Sequence, residues 1–234
     1  MLVNSSMYWE KDIVEENPQA PDNVVDLVYG IECRCLPVDH SFALSQAVQG
    51  VLPWLTDEPV AGVHSVHVAA SSNGWMRPEN PGDLLYLSRR TRLAIRVPKH
   101  RIDDACALEG AQLDVSGQTM KVKTATVRPL STLTTLFSRH LATRDELADE
   151  KTVLDWVAAE LRQMGIKPRK MLCGTEHEIA TPEGSIKVRS LMLADLDVEE
   201  SIRLQEQGLG PYRQMGCGLF IPHKGIDDVR SEKD

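Results

Sequence analysis

The order of β-rich and helical stretches constrains this chain more than any other feature, because it comes round twice within 234 residues. Residues 24–36 are rich in Val, Ile, Leu and Cys and lack helix signals, so they read as a strand that Pro37 ends. Asp39 then stands where a helix cap would. Leu44, Ala47, Val48, Val51, Leu52 and Leu55 follow on one face at a helical period. Residues 63–70 and 84–97 are again β-rich, and the turns at Asn73-Gly74 and Asn80-Pro81-Gly82 between them predict a long-looped hairpin. A helix over 102–110 and a strand over 120–127 complete a β-α-β-β-α-β order. In the second half, residues 145–164 read as a helix with acid in its first turn and Gly165 beyond its end. Strands over 169–179 and 185–193 follow, joined by Pro182-Glu183-Gly184. A short helix over 197–207 is stopped by Gly208, and residues 218–221 make a last strand. With residues 115–130 read as one long bent strand serving both halves, the second half repeats the first.

That order is the ferredoxin-like split βαβ unit. The expected fold class is therefore α+β, two tandem ferredoxin-like (RRM-like) units with a C-terminal glycine-rich loop. The implied boundaries are an acidic tail over 1–23, a first unit over 24–118, a second over 119–225 and a short tail over 226–234. An apolar content of 42% supplies a core for each unit and excludes disorder as the dominant state.

Charge at first points away from a polyanionic partner, since 34 acidic side chains outnumber 26 basic ones. The distribution says otherwise. Residues 1–30 hold six acidic side chains and one lysine, whereas residues 84–140 hold ten Lys and Arg against four Asp and Glu. Local potential, not total charge, steers a ligand, so the middle of the chain can line a basic groove. The five cysteines are an odd number without a C-x-x-C pair, which argues against a disulfide framework or a zinc site and for a reducing, cytoplasmic setting. No metal or other cofactor is expected. The N-terminus lacks a signal-peptide pattern, and no apolar run approaches the roughly 18 residues a membrane helix needs.

The segment 205–224 reads QEQGLGPYRQMGCGLFIPHK. Gly208, Gly210, Gly216 and Gly218 lie between a helix and a strand, where backbone amides without Cβ obstruction can approach a phosphodiester. Arg213, in the middle of the loop, has the planar fork to grip two phosphate oxygens. The string resembles the C-terminal glycine-rich loop of the repeat-associated mysterious protein superfamily, RNA-binding proteins of CRISPR systems. Within it the chain is most similar to the CRISPR repeat-RNA processing endoribonucleases, the Cas-six family. Glu200-Ser201, Leu204-Gln205 and Gly208-Leu209-Gly210 carry that resemblance, together with Pro37-Val38-Asp39-His40, Ala43-Leu44, Gly62-Val63-His64 and residues 92–98.

The resemblance implies metal-independent cleavage of the repeat within a precursor RNA. The substrate's own 2′-hydroxyl is the nucleophile and a 2′,3′-cyclic phosphate is left. One group must take the hydroxyl proton, another must protonate the 5′-oxygen, and donors must stabilise the phosphorane. Histidine suits the proton steps. His40 is the first candidate, at the expected N-terminus of the first helix, where the family's catalytic histidine also falls. His64 is the second. His64 and His67, three apart on a predicted strand, would point to opposite faces. Arg213, the loop glycines, Lys187 and Arg189 on one strand face, and Arg139 between the halves are the RNA-binding candidates. The implied partners are the precursor and mature CRISPR repeat RNA and, where the protein joins a surveillance complex, that complex's other subunits. The rival reading is a guide-RNA-binding subunit without catalysis.

Overall fold

The computed structural model describes residues 20–68, 78, 80–144 and 149–223. The elements run β1 (Val24–Glu32), β2 (Cys35–Pro37), α1 (Ser41–Val51), β3 (Gly62–Val63), β4 (Leu84–Tyr86), β5 (Arg92–Pro98), α2 (Ile102–Ala105), β6 (Gln112–Val115) and β7 (Gln118–Pro129). After them come β8 (Leu136–Ala142), α3 (Glu150–Gln163), β9 (Lys170–Thr181), β10 (Gly184–Ala194), α4 (Val198–Gln207) and β11 (Ile221–Pro222). The fold is α+β, with antiparallel sheets and a few helices. A five-stranded sheet has the order β3-β5-β1-β7-β6, a four-stranded sheet the order β11-β8-β10-β9, and β2 pairs with β4 in a ribbon.

Alternation along β1 builds the first core. Leu27, Tyr29 and Ile31 point inward with Leu93, Ile95 and Val97 of β5 and meet Leu44 and Val48 of α1. The Tyr29 hydroxyl donates to the Ala105 carbonyl at 2.9 Å, so the one polar atom of this buried ring is satisfied. In the second half α3 and α4 bury Val153, Val157, Leu161 and Leu204 against Leu136, Leu191 and Leu193. Asp149 caps α3 by accepting the Thr152 N–H at 2.8 Å.

Several expected elements differ. The run 24–36 breaks after Glu32, and Leu36 turns away to pair with Leu85, both wholly buried in the ribbon. The run 84–97 breaks at a turn in which Thr91 N–H donates to Ser88 O at 3.0 Å. Of the described residues of the run 63–70, Val63 alone belongs to the ladder, with Gly62 before it; residues 69–77 lie outside the described residues, as do 145–148 of the expected α3 and the first 19 residues. The helix over 102–110 is a single α turn between two 3₁₀ turns, Lys99–Arg101 and Cys106–Leu108. Residues 115–130 are not one bent strand. Ser116 and Gly117 take positive φ values of 54° and 77°, and the chain folds back as the β6–β7 hairpin. Because β7 also pairs with β1, the first sheet reaches Pro129, past the boundary expected at residue 118. The second sheet begins on β8, and its last strand is Ile221–Pro222 rather than 218–221.

The halves are joined by polar side chains. Arg96, wholly buried on β5, donates from Nη1 to the carbonyls of Gln205 (2.8 Å) and Phe220 (3.0 Å). Gln205 accepts the Ser131 N–H at 3.0 Å, and Asp39 accepts the Ala180 N–H at 2.7 Å.

Candidate nucleic-acid interface

The face of β1 turned away from the first core presents Asp26, Val28 and Gly30. Register places Arg96, Ala94 and Arg92 of β5 beside them on one flank and Arg128 and Thr126 of β7 on the other. Two β-bulges flank this face. In β7, Lys123 and Thr124 both stand opposite Gly30, and in β8, Arg139 and His140 both stand opposite Ser190. Bulges re-aim side chains, and here one re-aims a lysine and the other an arginine. The resulting cleft, about 290 Å³, is lined by Asp26, His64, His67, Arg92, Arg128 and Arg139 and closed by Gly216, Leu219 and Ile221. It shares Val28, Arg92 and Arg128 with a second cleft of about 580 Å³. That one shares Lys123 with a third of about 530 Å³ that reaches Arg89. The three form a continuous basic track.

Asp26 is the acid among the described residues of the first cleft, and Glu32, ion-paired with Lys123 at 2.6 Å, lines the third. Arg96 Nε and Nη2 hold the two oxygens of Asp26 at 2.9 and 3.0 Å, and His64 Nε2 lies 3.3 Å from Oδ1. Burial alone would raise the Asp26 carboxyl, but the charges and hydrogen bonds of Arg96 and His64 outweigh it and hold it far below the usual carboxylate range. An ionised carboxylate only accepts, so Nε2–H is the donor to Asp26, and Nδ1 on the other side of the ring makes no protein hydrogen bond among the described residues. The His64 N–H donates to Ala94 O at 3.0 Å, which pins this residue to the edge of the first sheet.

The residues singled out by sequence are dispersed by the fold. His64 and His67 do not point apart, because residues 64–68 leave the strand, and both line the same cleft. His40 occupies the expected place at the N-terminus of α1 but is only 2% exposed. The Val66 N–H can only donate, so His40 Nε2 accepts it at 3.0 Å, and Nδ1–H turns to Pro37 O at 2.8 Å. Both ring nitrogens are thus spent on backbone, outside the cleft.

Arg213, expected to face phosphate, is turned inward and 7% exposed. It donates to the carbonyls of Gln207, Glu206 (3.1 Å) and Val60 (2.6 Å), clamping the C-terminus of α4. Burial, with Arg96 nearby, pulls its pKa down to about 10. The glycines serve the same packing. A Cβ on Gly208 would lie 1.8 Å from Arg213 Nη1 and one on Gly218 1.9 Å from Leu209 O. Gly210 packs toward Leu141 and Trp156, and of the four only Gly216 borders the cleft. Lys187 and Arg189 stand opposite Glu178 and Glu176 on β9, and Arg189 Nη2 is 3.3 Å from the Glu176 carboxylate. Arg139 alone of the RNA-binding candidates projects a charge into the cleft. Asp26, His67, Arg92 and Arg128 were missed. Their signal was the alternation of polar or small residues with Leu27, Tyr29 and Ile31 along β1 and the same alternation from Arg92 to Arg96. Among the described residues, no three His, Cys, Asp or Glu are grouped to hold a metal ion. No described helix is long and apolar enough to cross a membrane.

An α+β chain whose cleft gathers two histidines and three arginines beside a sheet face is suited to a polyanionic ligand. A family model described as Cas6 Crispr matches residues 25–225, and the chain belongs to that family. The CRISPR-associated endonuclease Cas6 of Myxococcus xanthus (strain DK1622) is 29% identical over 198 residues, covering 85% of this chain and 81% of the relative. Two solved structures share the fold. One, described as a RAMP protein binding different RNA substrates, aligns with a TM-score of 0.58 at 13% identity, over 86% of this chain and 100% of its own. The other, a Cas6-related protein from Pyrococcus furiosus, gives 0.55 at 12% identity, over 84% and 97%.

Proposed function

We propose that this Cas6-family chain is an endoribonuclease that cleaves the CRISPR repeat within a precursor RNA, with His64 as the proton-transfer group. The observation that carries the reading is the His64–Asp26 pair set within the arginines of the first cleft. Asp26 holds the proton on Nε2 and leaves Nδ1 as the base for a 2′-hydroxyl. Arg92, Arg128 and Arg139 line the cleft in which the phosphorane would carry its charge, and fixed cations stabilise that charge as it develops. His67, in the same wall, is the candidate for protonating the 5′-oxygen. His40 acts through its bond to Val66, which lies between the two cleft histidines, and so positions them.

The two sheets fit the same reading as a pair of ferredoxin-like units. Leaving out the added β6, the first sheet has its second, third, first and fourth strands in the order β3-β5-β1-β7, and the second sheet repeats this as β9-β10-β8-β11. The RNA would then lie against the outer face of the first sheet and the cleft beside the second.

The test is cleavage of a synthetic repeat RNA in excess EDTA, with and without a 2′-deoxy substitution at the cut. The expected products end in a 2′,3′-cyclic phosphate, the deoxy substrate resists, and His64→Ala loses about 10²- to 10⁴-fold in rate with RNA affinity kept within a few fold. Binding without cleavage by the unaltered protein would instead make it a guide-RNA-holding subunit.

A further inference from the structure

The outer face of the second sheet carries a feature that the cleavage chemistry does not use. Residues directly paired across antiparallel strands share a face. Ile221 pairs with Phe137, Phe137 with Met192, and Met192 with Leu172, so these four form one transverse row across β11, β8, β10 and β9. Their neighbours Leu136, Leu191 and Leu193 point into the core, which places the row on the opposite side. Leu172 is 62% exposed, while Ile221, Phe137 and Met192 are half-buried. The row is flanked by cationic or aromatic groups. The Arg139 guanidinium lies 5.7 Å from the centre of the Phe137 ring, and the exposed His223 ring lies 5.8 Å from it at a tilt of 55°.

Two members connect this face to the cleft. Ile221 and Arg139 each line the cavity that holds His64, and each adjoins Phe137, one across the strand pair and one along β8. A polynucleotide leaving the cleft on that side therefore meets Phe137 next. Single-stranded nucleic acid is held by this combination, an aromatic surface for a base with cations for the adjoining phosphates, and every base offers a π face to it. A row one residue wide is too narrow for the roughly 800 Å² per partner of a stable protein interface, and it fits the edge of a stacked strand.

We infer that Phe137, between Arg139 and His223, is a stacking site for an unpaired RNA base next to the cut, with Met192 and Leu172 continuing the platform. This rests on the repeat-RNA reading above and extends it from the cleft to the second sheet.

The experiment uses the full chain and a repeat RNA blocked by a 2′-deoxy group at the cut, with 2-aminopurine placed at one position at a time on both sides. In the unaltered protein, quenching is expected at one or two unpaired positions on one side of the cut. Phe137→Leu keeps apolar volume but no ring. It should remove that quenching and weaken binding about tenfold, whereas Phe137→Tyr should retain both. Quenching and affinity unchanged in Phe137→Leu, quenching at no position in the unaltered protein, or loss of both in Phe137→Tyr would each overturn the inference. Failure of the unaltered protein to cut the unblocked repeat would overturn the nuclease reading and leave the quenching result standing as evidence on the platform.

Discussion

Two histidines stand at the two ends of one short stretch of backbone and are treated in opposite ways by the fold. His40 reaches Val66 from the start of α1, with one nitrogen accepting from an amide and the other donating to a carbonyl, all of it buried. His64, two residues before Val66, gives one nitrogen to Asp26 and turns its ring to the cleft. The arginines divide similarly. Arg96 and Arg213 are spent on carbonyls and a carboxylate inside the fold, and Arg92, Arg128 and Arg139 line its open cleft. Residue type is the same within each pair. What differs is burial: His40, Arg96 and Arg213 are enclosed by the fold, whereas His64, Arg92, Arg128 and Arg139 border the cleft, even though Arg92 also donates to the Arg89 and Thr91 carbonyls at 2.9 Å.

The sharpest way to break this comparison is to remove each histidine. The loss of about 10²- to 10⁴-fold in cleavage proposed for His64→Ala should far exceed its effect on the fold, where Asp26 loses one donor but keeps both bonds from Arg96. Complete loss of cleavage in His40→Ala with an unchanged melting temperature would reverse the roles of the two residues.

Next in size is Arg96→Met. Removing one partner of a buried ion pair costs about 3–5 kcal/mol, here leaving Asp26 and the carbonyls of Gln205 and Phe220 without their Arg96 donors. The melting temperature should fall accordingly, and the pH dependence should change with it. The folded-state pKa of Asp26 is depressed, so its contribution to stability is present above the unfolded carboxylate pKa and is lost as pH falls below about 4. Urea midpoints measured from pH 7 to pH 3 should drop steeply for the unaltered protein and flatten for Arg96→Met. Parallel curves for the two proteins would remove Asp26 from this role.

For His40→Ala the expected cost is smaller, about 1–3 kcal/mol, from an amide and a carbonyl left without their partner. Cleavage should fall less than it does for His64→Ala and recover as stabilising solutes restore the fold, since the ring only holds Val66 in place. Denaturation followed in parallel with initial rates checks both halves of that statement.

How far this division could be read in advance varies by element. The helices α1, α3 and α4 were legible from their period, because amphipathic spacing is written locally, but the cap of α1 was not, since the helix begins after His40 and the Asp39 carboxylate accepts from Ala180 N–H instead. Strand β8 was not, since Ser138, Arg139 and His140 interrupt its apolar residues at the point where the bulge turns Arg139 outward. The glycine-rich loop was legible as a loop, but its contacts were not. Gly208 and Gly218 are small because Arg213 and Leu209 occupy the space beside them, and that closeness exists only after α4 and β8 have packed. The excess of basic residues between 84 and 140 was visible, whereas the choice of Arg92, Arg128 and Arg139 over Lys187 and Arg189 depends on which strand lies opposite.

That last choice gives the smallest effect and separates the two sheets most finely. Arg128 lines two of the three clefts, while Lys187 lies opposite Glu178 across the β9–β10 hairpin. If RNA follows the basic track, Arg128→Gln should weaken repeat-RNA binding and lower the slope of log K against log salt by about 0.7, one single-strand phosphate contact. Lys187→Gln should leave the slope where it was, because a strand position facing an acid contributes little net attraction for a polyanion. Titrations between about 50 and 500 mM salt measure both slopes. Equal slopes for the two variants would mean that the RNA crosses the β9–β10 hairpin instead, and that the acids there do not deflect it.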